Sequence, residues 1–203
     1  MLDDDLLVDV VEDDAAMRDA LLLLLASTGI QARGFASAEE FLRSDDPTGC
    51  ACLLADVRLP GMDGLSLHRR LLALGAEPAV VVITGHGDIA MAVAALKAGA
   101  SDFVEKPFDP AVLLDSVRAA LRQASDTRRR RAAAREAERR LQALTDREKE
   151  ILELLVQGHA NKTVAARLGI SVRTAEHHRA NIMEKTGARS LSQLLKMALR
   201  LPG

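Results

Sequence analysis

Apolar and polar positions alternate along the first 124 residues in two periods. Short β-branched or leucine-rich runs at 6–11, 30–35, 51–55, 80–84 and 102–106 read as strands. Between them lie stretches with helical spacing: 15–28, halted by Gly29; one capped by Ser37 with Glu40 three residues on; 64–74, ended by Gly75; 88–98; and one that Asp109 caps and Pro110 starts. Five strands alternating with helices predict a parallel, doubly wound sheet covered on both faces, with any site at the carboxyl ends of its strands.

The pattern then changes. Residues 125–144 carry seven arginines (128, 129, 130, 131, 135, 139 and 140) among alanines, with almost no apolar stripe. Alanine and arginine favour helix, so this stretch is expected to be a helical linker continuing from the last helix of the first domain. Its charges suit either a solvated face or contact with phosphates. From 145 to 203 every signal is helical. Thr145 with Glu148 forms a capping box ahead of Ile151, Leu154 and Leu155; 161–168 ends at Gly169; Ser171 caps 172–185, ended by Gly187; Ser190 caps a helix with Leu191, Leu194, Leu195, Ala198 and Leu199 on one stripe. The expectation is a separate all-α domain of four helices.

Charge separates the same two regions. The formal net charge of −2 hides a front part, 1–124, near −10 and a back part, 125–203, near +8. An acidic half joined to a basic half points to a nucleic-acid partner, because clustered cations release counterions from a phosphate backbone. Cys50 and Cys52, one residue apart in a strand-like run, are expected to share a face as buried thiols. Met1 is followed by Leu2 and three aspartates rather than a basic segment, and no apolar run approaches the roughly 20 residues of a membrane span, so a cytoplasmic location without membrane contact is expected.

Strand-end logic collects Glu12 and Asp13 after the first strand, Asp56 after the third, Thr84 after the fourth and Lys106 after the fifth. Clustered carboxylates repel, and a hard divalent cation with oxygen ligands, such as Mg²⁺, relieves the repulsion. Asp56 is then the candidate nucleophile for a phosphoryl group, whose equatorial oxygens a hydroxyl and an ammonium would neutralise. In the basic half, Ala175, His178 and Ile182 follow three-then-four spacing and should face a core. That leaves Arg173, Glu176, His177 and Ala180 outward, on a face suited to DNA. The adjacent His177 and His178 point about 100° apart on a helix, which argues against a shared metal.

The stretches VVEDD, LLADVRLPGMDG, VVITGHGD and DFVEKPF closely resemble receiver domains, with the flavodoxin-like fold, of two-component response regulators of the FixJ/NarL type, over residues 1 to about 124. The resemblance implies Asp56 as phosphate acceptor, Mg²⁺ held by Glu12, Asp13, Asp56 and the Arg58 backbone carbonyl, Thr84 and Lys106 on the phosphoryl group, Thr84 and Phe103 as switch residues, and a cis Lys106–Pro107 bond. Glu12 stands where aspartate is commoner, so its metal contact is expected to run through water. The run LTDREKEILELLVQGHANKTVAARLGISVRTAEHHRANIMEKTGARS is similar to LuxR-type helix-turn-helix domains. By that likeness Glu176, His177 and Ala180 approach base edges, while Asn161, Lys162, Arg173, Thr174, Arg179 and Lys185 are phosphate-side candidates.

Together these resemblances imply a transcription regulator rather than an enzyme. Its partners would be a sensor histidine kinase, double-stranded promoter DNA, RNA polymerase and, on phosphorylation, a second copy of itself through the surface of residues 88–122. Three rivals remain: phosphorylation that unmasks the DNA-binding domain instead of driving dimerisation, a free-standing aspartyl-phosphate phosphatase, and a scaffold that is never phosphorylated. A phosphatase needs a substrate pocket that no motif codes, and a scaffold needs no intact acidic cluster.

Overall fold

The computed structural model describes residues 6–85 and 89–199, and for 89–92 the backbone alone. The chain divides into two compact units, 1–127 and 128–203.

The first unit runs β1 (Val8–Val11), α1 (Ala15–Ser27), β2 (Ala32–Phe35), α2 (Ala38–Leu42), β3 (Cys52–Asp56), α3 (Gly64–Ala73), β4 (Ala79–Thr84), α4 (Ile89–Lys97), β5 (Asp102–Glu105) and α5 (Pro110–Gln142). Its five strands are all parallel, in the order β2-β1-β3-β4-β5. The order reverses between β1 and β3, which is where doubly wound sheets open a crevice at their carboxyl ends. Strand alternation divides the core. Val8, Val10, Cys52, Leu54, Val81 and Ile83 pack under Leu21 and Leu25 of α1 and Leu113, Val117 and Leu121 of α5. Val11, Leu53, Ala55, Val80 and Val82 pack under Phe41 of α2, Leu67 and Leu71 of α3, and Ala95 of α4.

Most predicted elements are present with shorter ends. The strand expected at 6–11 begins at Val8, and that at 30–35 begins at Ala32. Ser37 accepts from the Glu40 amide at 3.1 Å, but the Glu40 carboxylate reaches back to the Ala36 amide instead of closing the box on Ser37. The predicted start of α4 at Asp88 lies outside the described residues. One expectation fails: Cys50 and Cys52 do not share a face. β3 begins only at Cys52, so Cys50 escapes the alternation and joins the α2–α3 side while Cys52 joins the α1–α5 side. Burial pushes the Cys52 thiol up to about 12, and Cys50 also well above its ordinary value. Both are therefore un-ionised packing groups.

The second unit contains the end of α5, then α6 (Asp146–Val156), α7 (Asn161–Leu168), α8 (Val172–Thr186) and α9 (Leu191–Ala198). Thr145 and Glu148 form both arms of the expected capping box, Ser171 and Ser190 cap α8 and α9, and α7 has the predicted bounds. Leu141 and Leu144 are buried with Ile151, Leu155, Val164, Ala175, Ile182 and Leu194, so the end of the arginine-rich stretch belongs to this core. The leucine stripe of α9 is only partly used: Leu194 is fully buried, and Leu199 is exposed. Among the described residues no helix is long and apolar enough to cross a membrane.

Candidate functional site

Three acids converge at the carboxyl ends of β1 and β3. Ligand atoms of Glu12, Asp13 and Asp56 lie within 4.8 Å of one another. Glu12 and Asp56 are buried and Asp13 is exposed, so the cluster has a closed floor and an open rim. Helix capping does not account for it, because Asp14 caps α1 by accepting from the Met17 amide at 2.9 Å.

Lys106, one residue past β5, reaches across the crevice. Its Nζ donates to Glu12 Oε2 at 2.7 Å and to Asp56 Oδ2 at 2.5 Å. The other oxygen of Asp56, Oδ1, accepts from the Arg58 amide at 2.8 Å. Thr84 ends β4 in register with Glu105 and is buried, and its backbone oxygen accepts from the Lys106 amide at 2.7 Å. The Lys106–Pro107 bond is cis. Phe103 on β5 is an exposed aromatic, 39% accessible.

The electrostatics follow from this crowding. Burial raises the Glu12 carboxyl above its ordinary value; Lys106 opposes the rise and Asp56 adds to it. For Lys106 burial acts downward, but the bonds to Asp56 and Glu12 outweigh it and the ammonium is held above its usual range. One lysine shared by a cluster of three carboxylates leaves an excess of negative charge with hard oxygen donors, which suits a divalent cation of the Mg²⁺ type.

Residues not singled out by sequence brace this crevice. Arg18 Nη1 donates to the Glu12 carbonyl at 2.7 Å. Glu39 accepts from the Met62 amide at 2.9 Å and fastens the loop between β3 and α3. Gly64 lies so close to the Asp56 carbonyl that a Cβ there would stand 2.3 Å from it. The Arg18 and Glu39 contacts have no sequence signal, since each joins a side chain to a backbone group brought near by folding.

In the second unit α7, a tight turn at Gly169 and α8 form a helix-turn-helix. Ala175 and Ile182 are buried and Arg173, Glu176, His177 and Ala180 exposed, as the three-then-four spacing predicts; His178, expected to face the core, is half-buried, and Thr174 is exposed. The His177 and His178 rings are 6.5 Å apart between centroids. Lys162 is exposed, while Asn161 and Arg179 are half-buried and face each other at 3.5 Å. Lys185 donates to Glu148 Oε2 at 2.7 Å. That carboxylate also accepts from the Thr145 amide and hydroxyl. Burial pushes Glu148 upward, but these donors win and its carboxyl falls below the ordinary value. Arg147, from α6, donates to the Leu168 carbonyl at 2.7 Å and holds the end of α7.

Comparison with known proteins agrees with both halves. Residues 8–118 match the response regulator receiver domain, and 142–198 match the family of bacterial regulatory proteins described as luxR. The transcriptional regulatory protein FixJ of Azorhizobium caulinodans is 47% identical over 192 residues, covering 95% of this chain and 91% of the relative. The response regulator protein TodT of Pseudomonas putida is 40% identical, covering 95% and 85%. Among solved structures, the response regulator StyR superposes with a TM-score of 0.84 at 38% identity, covering 96% of this chain and 98% of that one. Full-length FixJ from B. japonicum gives 0.58 at 41% identity, covering 97% of each. The chain thus belongs to the two-component response regulators that join a receiver to a LuxR-type helix-turn-helix domain and regulate transcription in a phosphorylation-dependent way.

Proposed function

We propose that Asp56 accepts a phosphoryl group from a sensor histidine kinase and that the modified chain dimerises on promoter DNA. Residues 1–124 form the phosphoacceptor domain, 125–144 the linker, whose last residues pack into the helical core, and 145–203 the DNA-binding domain. The observation that carries the reading is the Lys106 ammonium shared between Glu12 and Asp56 above an acidic trio.

An Asp56 carboxylate oxygen attacks phosphorus, the bond to the donor's histidine nitrogen breaks, and an acyl phosphate forms on Asp56. Oδ1 is held by the Arg58 amide, which orients the carboxylate. Oδ2 is released when Lys106 turns its ammonium to the incoming phosphoryl oxygens. Glu12, Asp13, Asp56 and the Arg58 carbonyl are the groups that would hold Mg²⁺, which supplies charge neutralisation at the equatorial oxygens. Thr84 follows the phosphoryl group inward and Phe103 follows Thr84. The face they alter carries exposed Val93, Leu96 and Val112, an apolar set suited to a second copy.

Two copies then present α8 to half-sites about one helical turn apart. On α8, Glu176, His177 and Ala180 approach base edges; Glu176 accepts from a cytosine amino group. Asn161, Lys162, Arg173, Thr174, Arg179 and the remaining protons of Lys185 serve phosphates. RNA polymerase is the downstream partner, and the setting is the cytoplasm. The role is a switch rather than catalytic turnover.

The test is sedimentation mass with Mg²⁺, with and without beryllium fluoride. We expect a monomer that becomes a dimer only with beryllium fluoride and only when Asp56 is present. An unchanged mass with altered DNA affinity would favour unmasking over dimerisation.

A further inference from the structure

Seven arginines crowd 128–140, and nothing in their spacing distinguishes one from another. Folding does. Arg139 points outward, its side chain 76% exposed, and pairs with Glu136 one turn back. Arg140 turns toward α8. Its Nε donates to Glu136 Oε1 at 2.7 Å, and its Nη1 donates to the Thr186 carbonyl at 3.1 Å.

Thr186 is the last residue of α8, where carbonyls lack helical partners and carry the negative end of the helix dipole. The neighbouring carbonyls are satisfied locally: Gly187 donates to Glu184, Ala188 to Met183, and the Thr186 hydroxyl to Ile182. The Thr186 carbonyl is satisfied from outside the helix, by Arg140. Gly187 fits this arrangement twice. Its φ of +67° is a left-handed cap that favours glycine, and a Cβ there would stand 2.6 Å from Arg140 Nη1. Burial of Leu141 and Leu144 fixes the backbone from which Arg140 reaches.

We infer that Arg140 is a positioning residue for DNA recognition: it latches the carboxyl end of α8 and thereby sets the tilt at which Glu176 and His177 meet bases. The lever is long enough to matter. His177 lies nine residues before Thr186, about 13 Å along the axis, so a tilt of about 10° displaces it by about 2 Å. That is enough to break a hydrogen bond to a base edge while leaving longer, water-bridged phosphate contacts in place. This inference rests on the DNA-binding reading above.

The experiment compares the full-length wild type with Arg140→Gln, all treated with Mg²⁺ and beryllium fluoride. The probes are a duplex enriched from a randomised pool by the wild type and a shuffled duplex of equal length. Arg140→Gln is expected to lose about fivefold in affinity for the enriched duplex and less than about twofold for the shuffled one. The slope of log affinity against log salt stays at the wild-type value, and hydrogen exchange at the Gly187 and Ala188 amides speeds up. Glu136→Gln, which leaves α8 untouched, shifts the same readouts in the same direction by less; it carries the test should Arg140→Gln fold poorly.

Equal losses on both duplexes with a slope shallower by about 0.9 would make Arg140 a phosphate contact and overturn the inference. Unchanged affinity with unchanged exchange would overturn it as well. A wild type that enriches no duplex removes the DNA-binding reading itself, and the inference with it.

Discussion

Two buried glutamates, one in each unit, are bonded to lysines at the same 2.7 Å yet titrate in opposite directions. Glu12 is 1% exposed and held above its ordinary value by burial; Glu148 is 3% exposed and held below it. At Glu12 burial weighs most and outweighs its lysine, with Asp56 adding to the rise, whereas at Glu148 the donors outweigh burial. Lys106 divides its charge between Glu12 and Asp56, and those two carboxylates repel each other. Lys185 pairs with Glu148, which also accepts two donors from Thr145. The first arrangement is held in tension and suits a site that must rearrange. The second is satisfied, and it ties α8 to the start of α6. Burial and ion pairing alone do not mark a functional site; unrelieved charge does.

The largest effect is expected at the shared partner. Asp56→Asn should abolish phosphoryl incorporation from a small acyl phosphate donor entirely. It also removes the repulsion on Glu12, so the Glu12 carboxyl, followed by carbon NMR, should titrate lower than in the wild type. Persistent incorporation would place the acceptor elsewhere.

Next in size is removal of the shared lysine. Lys106→Met leaves Glu12 and Asp56 facing each other, and we expect a loss of about 2 kcal/mol in first-unit stability in EDTA, measured by denaturant unfolding. Millimolar Mg²⁺ should recover most of that loss, because a divalent cation takes over the neutralisation. A loss that Mg²⁺ leaves untouched would argue against a metal between these acids.

The smallest effect belongs to the satisfied pair. Glu148→Gln should cost the second unit about 1 kcal/mol at neutral pH, read by hydrogen exchange of the α6 amides. Because the folded Glu148 carboxyl lies below its ordinary 4.5, its contribution is fully present above that value. It disappears as pH falls through the lower, folded value. Wild-type protection should therefore drop toward the variant's as the solution is acidified below about pH 4.5. Glu12 runs the other way: its ionised form is the costly one, so acidification removes a cost there rather than a contribution to stability.

How much of this was legible in sequence differs by kind of contact. The acid cluster was readable because a parallel sheet puts every strand's carboxyl end on one edge, so strand ends far apart in sequence become neighbours once the topology is known. The outward face of α8 was readable because helical periodicity is local. Cys50 departs from the expected face because it lies two residues ahead of the strand, where alternation does not hold. The contacts of Arg18, Glu39 and Arg140 carry no such signal, because each donates to or accepts from a backbone group that any residue type could offer.

The two units' fold classes, most of the caps and the gathering of acids at the strand ends were legible in the chain, since these depend on periodicity, capping chemistry and strand order. The partner of each charge came from folding: Lys106 is divided, Lys185 is engaged by a capping carboxylate, and of two adjacent arginines one meets solvent and the other closes a helix. Those outcomes depend on distances of about 3 Å between groups remote in the chain, and hydrogen bonds weaken too steeply with distance and angle for any one-dimensional pattern to encode them.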